Sequence, residues 1–543
     1  MNAGVDMPDA ARSPETPAGN RWAVLGVMCA ALVMVVIDVT VLHIATPAIS
    51  EDLHPSAVEL LWIVDIYPLV VAPLLVASGT LGDRFGRKRI LLQGLVVFAA
   101  ASVLAGLAWS PMVLIAARAL QGVGGAMILP STMAIVRDVF PDREERVRAI
   151  GIWSAVMAGG AAVGPLVGGF LLEHFDWGAV FLINVPILLL LLPFAMRILP
   201  ESKSSDPPPW DTRAVLQVGG AVLGLALGIK EGAHRGFTDP VALIALAGSA
   251  ILWWRFIRRM LGKARPLLDL RLFADRAFSV AVGCVLLSMF ALVGLELFFA
   301  QYLQLVLGLE PFAASIRLIP LMLATLAGAL SAARLLKRVG TRGAVAGGLG
   351  ATTLSLIPFF WLGTADDYAL MWPSFVVLGF ALEVALVAAN DTIFSSVSAD
   401  GAGGASAIEE TAYELGGGLG VAVLGSIGAA VYAANLPSVP GVSPTGMDSA
   451  RESLGGAVDV ATGLGAQAST ALIDAARQAF VEGFHVTIVA AIVVIGASAL
   501  LAAFILRGDD AAGPNAGPGS APGDQPAGPA VEAASASGEP GQP

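Results

Sequence analysis

The sequence predicts an all-α integral membrane protein with fourteen transmembrane helices. Its 543 residues are 56% hydrophobic and only 13% charged, with a mean hydropathy of +0.78. Soluble globular domains carry about 25% charged residues, so this composition indicates a membrane protein. The apolar residues also fall into long segments, and a helix needs about 20 of them to cross a bilayer.

Fourteen such segments follow one another along the chain. They lie at 22–46, 58–81, 88–108, 111–136, 147–172, 176–199, 213–230, 239–257, 277–306, 313–336, 342–363, 367–394, 405–433 and 479–506. Because the number is even, both termini are expected on the same side of the membrane.

The distribution of Lys and Arg predicts which side that is. A cytoplasmic N-terminus places 25 of the 31 basic residues in cytoplasmic segments. The exceptions are Lys230, Arg235, Arg451 and Arg477, which fall outside, and Arg118 and Arg317, which stand at helix starts. The positive-inside rule therefore predicts a multi-pass protein of the cell membrane with both termini in the cytoplasm.

The spans are expected to form two bundles with an inserted pair. The first six helices make an N-terminal bundle at 21–200. The last six make a C-terminal bundle at 261–507, which includes an external loop at 434–478 with room for one or two short helices. Residues 201–260 hold a Pro-rich linker and the inserted helices 7 and 8. The tails at 1–20 and 508–543 are predicted to be disordered, and the first helix, which lacks a signal-peptide pattern, to be retained.

Several function classes lack their sequence signals. Cys29 and Cys284 lie in apolar segments and indicate neither a disulfide framework nor a thiolate zinc site. The five histidines show no metal-ligand spacing, and no G-x-x-x-x-G-K-[ST] phosphate loop occurs. We therefore expect a monomer that is not an enzyme, with no metal, cofactor or nucleic-acid partner. If the chain is a transporter, the missing phosphate loop leaves an ion gradient as its energy source, and a channel, a lipid translocase and a membrane enzyme are the alternatives.

Two pairs of motifs suggest an internal repeat. GGAAVGPLVGG (159–169) in the fifth span is echoed by GGGLGVAVLGS (416–426) in the thirteenth. GDRFGRKR (82–89) has a weaker relative in KRVGTRG (337–343). Both pairs fall at equivalent places if helices 1–6 and 9–14 are pseudo-symmetric halves, as is common in transporters. Small residues also serve simple helix packing. The pattern predicts a 6+2+6 architecture.

The most specific motif is GTLGDRFGRKRILL at 79–92. Its glycines permit a tight cytoplasmic turn, and Asp83 can pair with a basic residue or with the positive end of a helix. Such a pair would lock one gate state and release in another, whereas a plain basic loop that fixes topology is the alternative. The motif resembles the signature between helices 2 and 3 of the major facilitator superfamily. Its gating candidates are Gly79, Gly82, Asp83, Arg84, Gly86, Arg87 and Lys88.

Other motifs resemble those of the fourteen-helix drug:proton antiporters in that superfamily. ARALQGVGGAM (117–127) is similar to the helix-4 motif, with Arg118 as its membrane-facing arginine. IDVTVLHIATPAI (37–49) resembles the helix-1 motif, although His43 and Thr46 stand where the family usually has Asn and Leu. GGAAVGPLVGG resembles the helix-5 antiporter motif and contributes the gating candidates Gly164, Pro165, Gly168 and Gly169. WIVDIYPLV (62–70) completes a match that spans residues 20–507.

The resemblance implies the major facilitator fold and a proton-coupled antiporter of the multidrug type. Such proteins export lipophilic, mostly cationic compounds from the cytoplasm by alternating access, including dyes, quaternary ammonium compounds and antibiotics. Small-molecule substrates, protons and membrane lipid are then the expected partners, with protons as the coupling ion. A dedicated exporter of one antibiotic or metabolite is the alternative within transporters.

Carboxylates within the spans are the candidate proton-coupling and substrate-binding groups. An acidic side chain at a helix centre costs about 2.5–3.5 kcal/mol on insertion scales. A hydrogen-bonded acid that only joins two helices is an alternative for any one of them, and a weaker one for several together. The candidates are predicted to lie at depths spread over most of the membrane thickness. They are Asp38, Asp65, Glu296, Glu383, Asp391, Glu409, Glu410 and Glu414.

Three of these acids lie in ASAIEETAYELGGGLG (405–420), at the start of the thirteenth span. Ser406 and Glu409 have the spacing of a capping box, which would make Glu409 structural. Glu410 and Glu414 are four residues apart and share one helix face. The stretch resembles the helix-13 carboxylate cluster of the multidrug exporters. We therefore expect Glu410 and Glu414 to handle substrate or protons at the cytoplasmic entrance.

Arg118 and six aromatic residues complete the predicted site. A lone arginine at a helix start can snorkel to the interface, whereas the family motif implies that Arg118 tunes a nearby acid. Aromatic faces bind organic cations, although most aromatic residues in spans are core or lipid-facing. The six are Trp62, Tyr67, Phe298, Tyr302, Phe380 and Tyr413.

Overall fold

The computed structural model describes residues 18–203, 209–397 and 402–506, and the regular elements in these ranges are helices. The predicted disordered tails at 1–20 and 508–543 lie outside the described residues, except that the first helix already begins at Ala18.

Sixteen α-helices are present in the described ranges. They are α1 Ala18–Leu53, α2 Ala57–Phe85, α3 Arg87–Gly106, α4 Pro111–Val139, α5 Arg143–His174, α6 Ala179–Leu182, α7 Asn184–Ile198, α8 Thr212–Arg235, α9 Pro240–Leu261, α10 Arg276–Gln301, α11 Pro311–Ser355, α12 Tyr368–Ser395, α13 Ala402–Asn435, α14 Pro444–Glu452, α15 Leu454–Thr462 and α16 Ala466–Ile505. A π-helical turn, Tyr302–Val306, extends α10, and short 3₁₀ helices lie at Leu270–Ala274 and Ile357–Trp361.

Twelve helices in the described part of the chain are long and apolar enough to cross a membrane. The predicted count of fourteen is therefore not confirmed. Two predicted spans, 313–336 and 342–363, fall within the single segment Pro311–Trp361. A third, 147–172, corresponds to α5, which is 32 residues long but is not one of the twelve.

A glycine interrupts the longest helix. α11 has 45 residues, which at a rise of about 1.5 Å per residue is more than twice the ~30 Å of a hydrocarbon core. Within it, Gly340 has φ 73° and ψ 166°, outside the helical region. Gly86, between α2 and α3, also has a positive φ of 113°. Gly86 and Gly340 lie in the two loops that the sequence pairs as an internal repeat, so both copies turn on a glycine in a conformation that other residues rarely adopt.

The helices form two bundles and an inserted pair. In the first bundle α1 packs on α5, and α4 packs on α2 and α3. In the second bundle α10 packs on α13, and α11 packs on α12. The two bundles meet through the pairs α2–α13 and α5–α11. The inserted helix α9 packs on α8, and α8 lies against both α2 and α13, so the inserted pair touches the seam between the bundles.

Hydrogen bonds and close helix contacts join the two bundles at one end, which we call the closed end. Gln304 Nε2 donates to the carbonyl of Ile44 at 3.0 Å, and the Ser315 hydroxyl donates to the carbonyl of Pro165 at 2.7 Å. Gly169 allows α5 and α11 to touch there, because a Cβ at this position would lie 2.9 Å or less from α11 atoms that include its backbone.

The predicted external loop 434–478 folds over the closed end through α14 and α15. Tyr432 Oη donates to the carbonyl of Ala450 at 2.7 Å, which fastens the loop to the end of α13. On the first bundle, His54 Nδ1 lies 3.5 Å from Asp459 Oδ2 of α15. The loop therefore contacts both bundles.

The turn at Gly86 yields a prediction on stability. In Gly86→Ala the new Cβ would clash with the carboxylate of Glu201, and alanine would adopt a φ of 113°. A sparsely populated backbone conformation of this kind costs about 1–3 kcal/mol. We expect a lower unfolding temperature of the purified protein, measured by differential scanning fluorimetry in detergent.

Two further variants separate the causes of that loss. Gly151→Ala on α5 is the control, because beyond the adjacent backbone of its own helix nothing lies within 4 Å of the added Cβ. Gly86→Ala/Glu201→Ala removes the clash but keeps the backbone conformation, so a complete recovery of stability in this variant would contradict the backbone argument.

Candidate functional site

A buried polar network surrounds Asp38 in α1. Arg118 Nη1 on α4 donates to Asp38 Oδ2 at 2.5 Å. Gln121 Nε2 on α4 and Asn184 Nδ2 on α7 donate to Oδ1 at 2.9 and 2.6 Å. The hydroxyl of Ser102 on α3 accepts from both amides, at 3.0 and 3.3 Å. Side chains of α4 and α7 thus converge on one carboxylate, and Ser102 of α3 holds the two amides beside it.

Arg118 is enclosed by the first bundle. Only 1% of its side chain is exposed, and its guanidinium lies 5.0 Å from the ring centroid of Tyr67 and 5.8 Å from that of Phe181. α4 begins at Pro111, so Arg118 lies two turns inside the helix and not at its start. The interpretations of Arg118 as membrane-facing, or as an interface anchor at a helix start, are therefore wrong. Its ion pair with Asp38 is the contact that a role in tuning an acid requires.

Three polar members of the Asp38 network were not found from the sequence. Gln121 follows Arg118 by three residues in the quoted ARALQGVGGAM motif and so shares its helix face. Asn184 interrupts the apolar stretch FLINVPILL, and Ser102 lies between apolar residues of α3. Buried polar groups require hydrogen-bond partners, so amides and hydroxyls inside apolar spans are expected beside a buried acid.

A second ion pair is buried at Asp65 on α2. Lys230 Nζ on α8 donates to Asp65 Oδ1 at 2.7 Å, and both side chains are fully buried. The ammonium lies 3.6 Å from the ring centroid of Trp62. The assignment of Lys230 to an external segment is therefore wrong, because the lysine lies within α8 and contacts α2. An apolar stretch precedes this lysine in LALGIKEG, but the charged Glu231 follows it directly.

Five carboxylates of the second bundle form what we call the acid cluster. They are Glu296 on α10, Glu383 on α12, and Glu409, Glu410 and Glu414 on α13. The ring of Tyr413, which is 36% exposed, lies within electrostatic range of four of them, and Glu410 lies close to its two neighbours on α13. All five side chains are half-buried. Unlike Asp38 and Asp65, none of the five has an ion pair with another described residue.

The beginning of α13 differs from the sequence prediction. The helix starts at Ala402, so Ser406 lies inside it and is not an N-cap. The capping box predicted for Glu409 is therefore wrong, and Glu409 lies instead near the side chain of Asn390 on α12. Asp391, the next residue along α12, is exposed.

Tyr67 connects the Asp38 network with the acid cluster. This fully buried residue of α2 lies within electrostatic range of Asp38 on one side and of Glu414 and Glu410 on the other. Its hydroxyl has no hydrogen-bond partner among the described residues. The two sets of acids are thus neighbours across the seam between the bundles.

Phe298 and Tyr302 belong to an aromatic core rather than to a cation-binding surface. The Tyr302 ring stacks on Phe484 at a centroid distance of 5.7 Å, and Phe298 stacks on the same ring at 6.2 Å. The Tyr302 hydroxyl donates to the carbonyl of Gly363 at 2.9 Å. Both residues are buried by these contacts. Of the other predicted aromatics, Phe380 is half-buried, and Trp62, Tyr67 and Tyr413 lie beside the charged groups described above.

The gating candidates between α2 and α3 form a network of ion pairs. Arg87 Nη2 donates to Asp83 Oδ1 at 2.8 Å, and Arg87 also pairs with Asp138 in the last turn of α4. Lys88 Nζ donates to two carbonyls at the end of α7, at 2.7 and 2.8 Å, where a cation also stabilises the helix dipole. Asp83 therefore has a basic partner, and the loop is fastened to two other helices.

The helix-5 glycines are points of close helix contact. A Cβ on Gly164 would clash with Thr40 Oγ1, and one on Gly168 would lie 3.1 Å from Val41 Cγ1. These two positions hold α5 against α1, whereas Gly169 holds it against α11 at the closed end. The motif thus serves packing within the first bundle and contact between the bundles.

The site contains two kinds of intramembrane carboxylate, which differ in whether a basic side chain neutralises them. Asp38 and Asp65 are each neutralised by a buried cation of the protein, whereas the acid cluster has no counter-ion among the described residues. An uncompensated carboxylate in apolar surroundings is costly, and a bound proton or cation relieves the cost. No group of three or more His, Cys, Asp or Glu side chains in the described ranges is arranged to hold a metal ion.

Comparison with known proteins shows the family to which the chain belongs. The chain matches the model of the Major Facilitator Superfamily over residues 28–421. It is 41% identical over 492 residues to the multidrug efflux pump LfrA of Mycolicibacterium smegmatis, covering 90% of this chain and 97% of that protein. It is 38% identical over 471 residues to the methyl viologen resistance protein SmvA of Salmonella typhimurium, covering 86% and 94%. It is 32% identical over 504 residues to the tetracenomycin C resistance and export protein of Streptomyces glaucescens, covering 90% and 92%.

A solved structure supports the fold. The inward-facing, unoccupied form of a bacterial homologue of the human lysosomal transporter Spinster has a TM-score of 0.63 and 19% identity, covering 90% of this chain and 97% of that one. The expected all-helical major facilitator fold is confirmed, as is the expectation of a multi-pass membrane transporter rather than an enzyme. The chain belongs to the major facilitator superfamily, among its drug-efflux transporters.

Proposed function

We propose that this protein is a proton-driven exporter of lipophilic, mostly cationic drugs, which it carries out of the cytoplasm by alternating access. The acid cluster binds either a substrate cation or protons, so the two ligands compete for the same carboxylates. The similarity to proteins named for multidrug efflux and for resistance to methyl viologen, an organic dication, supports this substrate class.

The acid cluster is the observation that carries the proposal. Five carboxylates without counter-ions among the described residues lie inside an apolar bundle, and four of them lie within electrostatic range of a partly exposed aromatic ring. A single intramembrane acid costs about 2.5–3.5 kcal/mol, so the cluster has a strong requirement for protons or cations. Their competition is sufficient to couple drug exit to proton entry. The membrane potential adds about 2.3 kcal/mol per elementary charge per 100 mV.

We further infer that both termini are cytoplasmic and that the chain crosses the membrane fourteen times. The distribution of Lys and Arg supports the orientation. The break at Gly340 and the length of α5 support two spans beyond the twelve already described. In this orientation the closed end is the external one, so the acid cluster is open to the cytoplasm.

A dedicated exporter of one antibiotic is the second candidate. The similarity to the tetracenomycin C resistance and export protein, over 90% of this chain, favours it. An efflux panel of monovalent and divalent organic cations, neutral antibiotics and fluoroquinolones distinguishes the two candidates, because a multidrug exporter moves several of these classes and a dedicated one does not.

Proteoliposomes test the proposed coupling. With an acidic interior and an alkaline exterior, ethidium should accumulate inside against its own gradient in exchange for protons. Collapse of the pH gradient with nigericin should stop this accumulation. An ethidium flux that only follows its own gradient would indicate a channel, and the proposal would then be withdrawn.

The acid cluster yields a prediction on transport. Because a charge-assisted contact contributes about 1.5–3 kcal/mol, Glu414→Gln should lower the initial rate of ethidium transport at subsaturating concentration roughly 10- to 100-fold. Glu410→Gln should have a similar effect. Glu173→Gln, at an exposed position near the end of α5, is the matched control and should transport at the wild-type rate. Equal losses in the control and the cluster variants would show that the cluster has no special role.

A further inference from the structure

Lys230 brings a positive charge from the inserted helix pair to the seam between the bundles. It lies on α8, which packs against both α2 and α13, the helices through which the bundles meet. Its ammonium contacts Asp65 and the ring of Trp62, one turn earlier on α2. The inserted pair therefore contributes a charged group, and not only bulk, to the contact between the bundles.

The surroundings of this ammonium are those that proteins use to bind organic cations. A carboxylate oxygen lies 2.7 Å from Lys230 Nζ, and an indole face lies 3.6 Å from it. An anionic group and an aromatic face are the two elements of organic-cation recognition. The cation that occupies them here belongs to the protein itself.

The ion pair is also incompletely satisfied. The ammonium has three N–H donors, and among the described residues it makes one hydrogen bond, to Asp65 Oδ1. Asp65 Oδ2 is buried and has no hydrogen-bond partner among the described residues. Desolvation offsets much of the attraction within a buried ion pair. Another cation that also contacts the free oxygen, Asp65 Oδ2, can therefore replace the Lys230 ammonium.

We propose that Lys230 is a tethered cation that occupies Asp65 and Trp62 in the empty transporter, and that a cationic drug binds there by displacing it. This inference rests on the proposed function, because it concerns where an exported cation binds. Asp65 and Trp62 then form a second cation site beside the acid cluster. Lys230 sets its selectivity, since only a ligand that carries a charge and covers the indole face replaces both contacts of the ammonium.

Equilibrium binding to the purified full-length protein tests the proposal. Ethidium binding is measured by fluorescence, and methyl viologen by its displacement of ethidium. Lys230→Met removes the competing charge but keeps the length of the side chain, and should lower the Kd for ethidium about 5-fold. Since Coulomb energy scales with ligand charge, the gain for doubly charged methyl viologen should be larger, up to about 25-fold. A fixed structural contact would not produce this dependence on ligand charge.

Three variants serve as controls. Lys230→Arg keeps the charge and should bind both ligands with wild-type affinity. In the Asp65→Asn background, Lys230→Met should give no gain. Lys230→Gln removes the charge but retains a hydrogen-bond donor, and it replaces Lys230→Met if the latter does not fold. An unchanged or weaker affinity for both ligands in the charge-removing variant overturns the proposal and leaves Lys230 as a structural link between α8 and α2.

Failure of the proposed function and failure of the role proposed for Lys230 give different experimental results. If the proposed function is wrong, the wild-type protein does not accumulate ethidium in proteoliposomes. If only the role of Lys230 is wrong, the wild-type protein transports ethidium, and the charge-removing variants bind it no more tightly than wild type.

Discussion

Asp38→Asn should abolish drug transport, with a decrease of at least about 100-fold in proton-driven ethidium accumulation. The carbonyl of the new amide can still accept hydrogen bonds from Gln121 and Asn184, so the amide part of the network persists. Arg118 loses its ionic partner while remaining buried, and breaking a buried pair in this way costs about 3–5 kcal/mol. A loss of this size corresponds to a rate effect of more than about 100-fold if it falls on one state of the transport cycle.

The neighbours of Arg118 explain why this loss should fall on transport. The guanidinium lies on Tyr67, and Tyr67 lies within electrostatic range of Glu414 in the acid cluster. Without Asp38, the uncompensated charge is directed at the carboxylates that we propose as the binding site for substrates and protons. It would attract these carboxylates and repel a cationic drug.

An exposed ion pair provides the control for Asp38→Asn. Arg317 donates to both carboxylate oxygens of Asp366, at 2.5 and 2.6 Å, but the Asp366 side chain is 49% exposed. The hydrogen bond from Arg317 lowers the pKa of Asp366, so this acid is ionised throughout the neutral range of a transport assay. Exposed pairs contribute about 0–1 kcal/mol, and Asp366→Asn should therefore transport normally. Wild-type rates in Asp38→Asn would refute the role assigned to Asp38.

Gly169→Ala should hold the closed end apart and strongly reduce transport. The added Cβ would lie 2.6 Å from Ser315 Oγ, 2.8 Å from Phe312 Cα and 2.9 Å from the carbonyl oxygen of Pro311. Two of these atoms belong to the α11 backbone, so no side-chain rotation relieves the contact. Overpacking of this kind costs about 1–3 kcal/mol, which shifts the equilibrium toward the open form of this end roughly 5- to 150-fold.

Spin-label distances test the Gly169 prediction directly. Labels at Phe175→Cys and Trp361→Cys, which are 59% and 67% exposed, report the separation of the end of α5 from the 3₁₀ helix Ile357–Trp361 of the second bundle. Cys29 and Cys284 are replaced beforehand. Double electron–electron resonance should show a longer distance in Gly169→Ala than in wild type. Gly159→Ala, on the same helix with open space around its Cβ, is the matched control. An unchanged distance distribution with normal transport would contradict the assigned contact.

The candidate site was predictable where a single helix carries the signal. Asp38 and Asp65 are recognisable as intramembrane acids from their apolar flanks, and the family motif points to Arg118. The partner of Asp65 was not predictable in this way. Lys230 lies 165 residues further along the chain, on a helix that belongs to neither half of the internal repeat. Only the packing of α8 against α2 brings the two charges together.

The errors in the prediction have similar causes. Ser406 has the local spacing of an N-cap, but the helix continues for an additional turn before it, so tertiary structure overrides the local signal. Phe298 and Tyr413 both lie in apolar spans. Phe298 lies in the core because it stacks on Phe484 of α16. Tyr413 lies instead among the carboxylates of the acid cluster. Residue type and spacing do not contain that information.

Glycine and main-chain carbonyl groups make several of the contacts between the bundles, and such contacts suit repeated opening. On the α2–α13 contact, Gly418 and Gly425 leave bare backbone against Leu69 and Leu61. Because the glycines carry no side chain, only the leucine side chains have to withdraw when this contact opens. Few rotamers need to rearrange, and little ordering entropy has to be lost again on reclosure. The contact therefore closes the pathway at this end, and it opens with the rearrangement of few side chains.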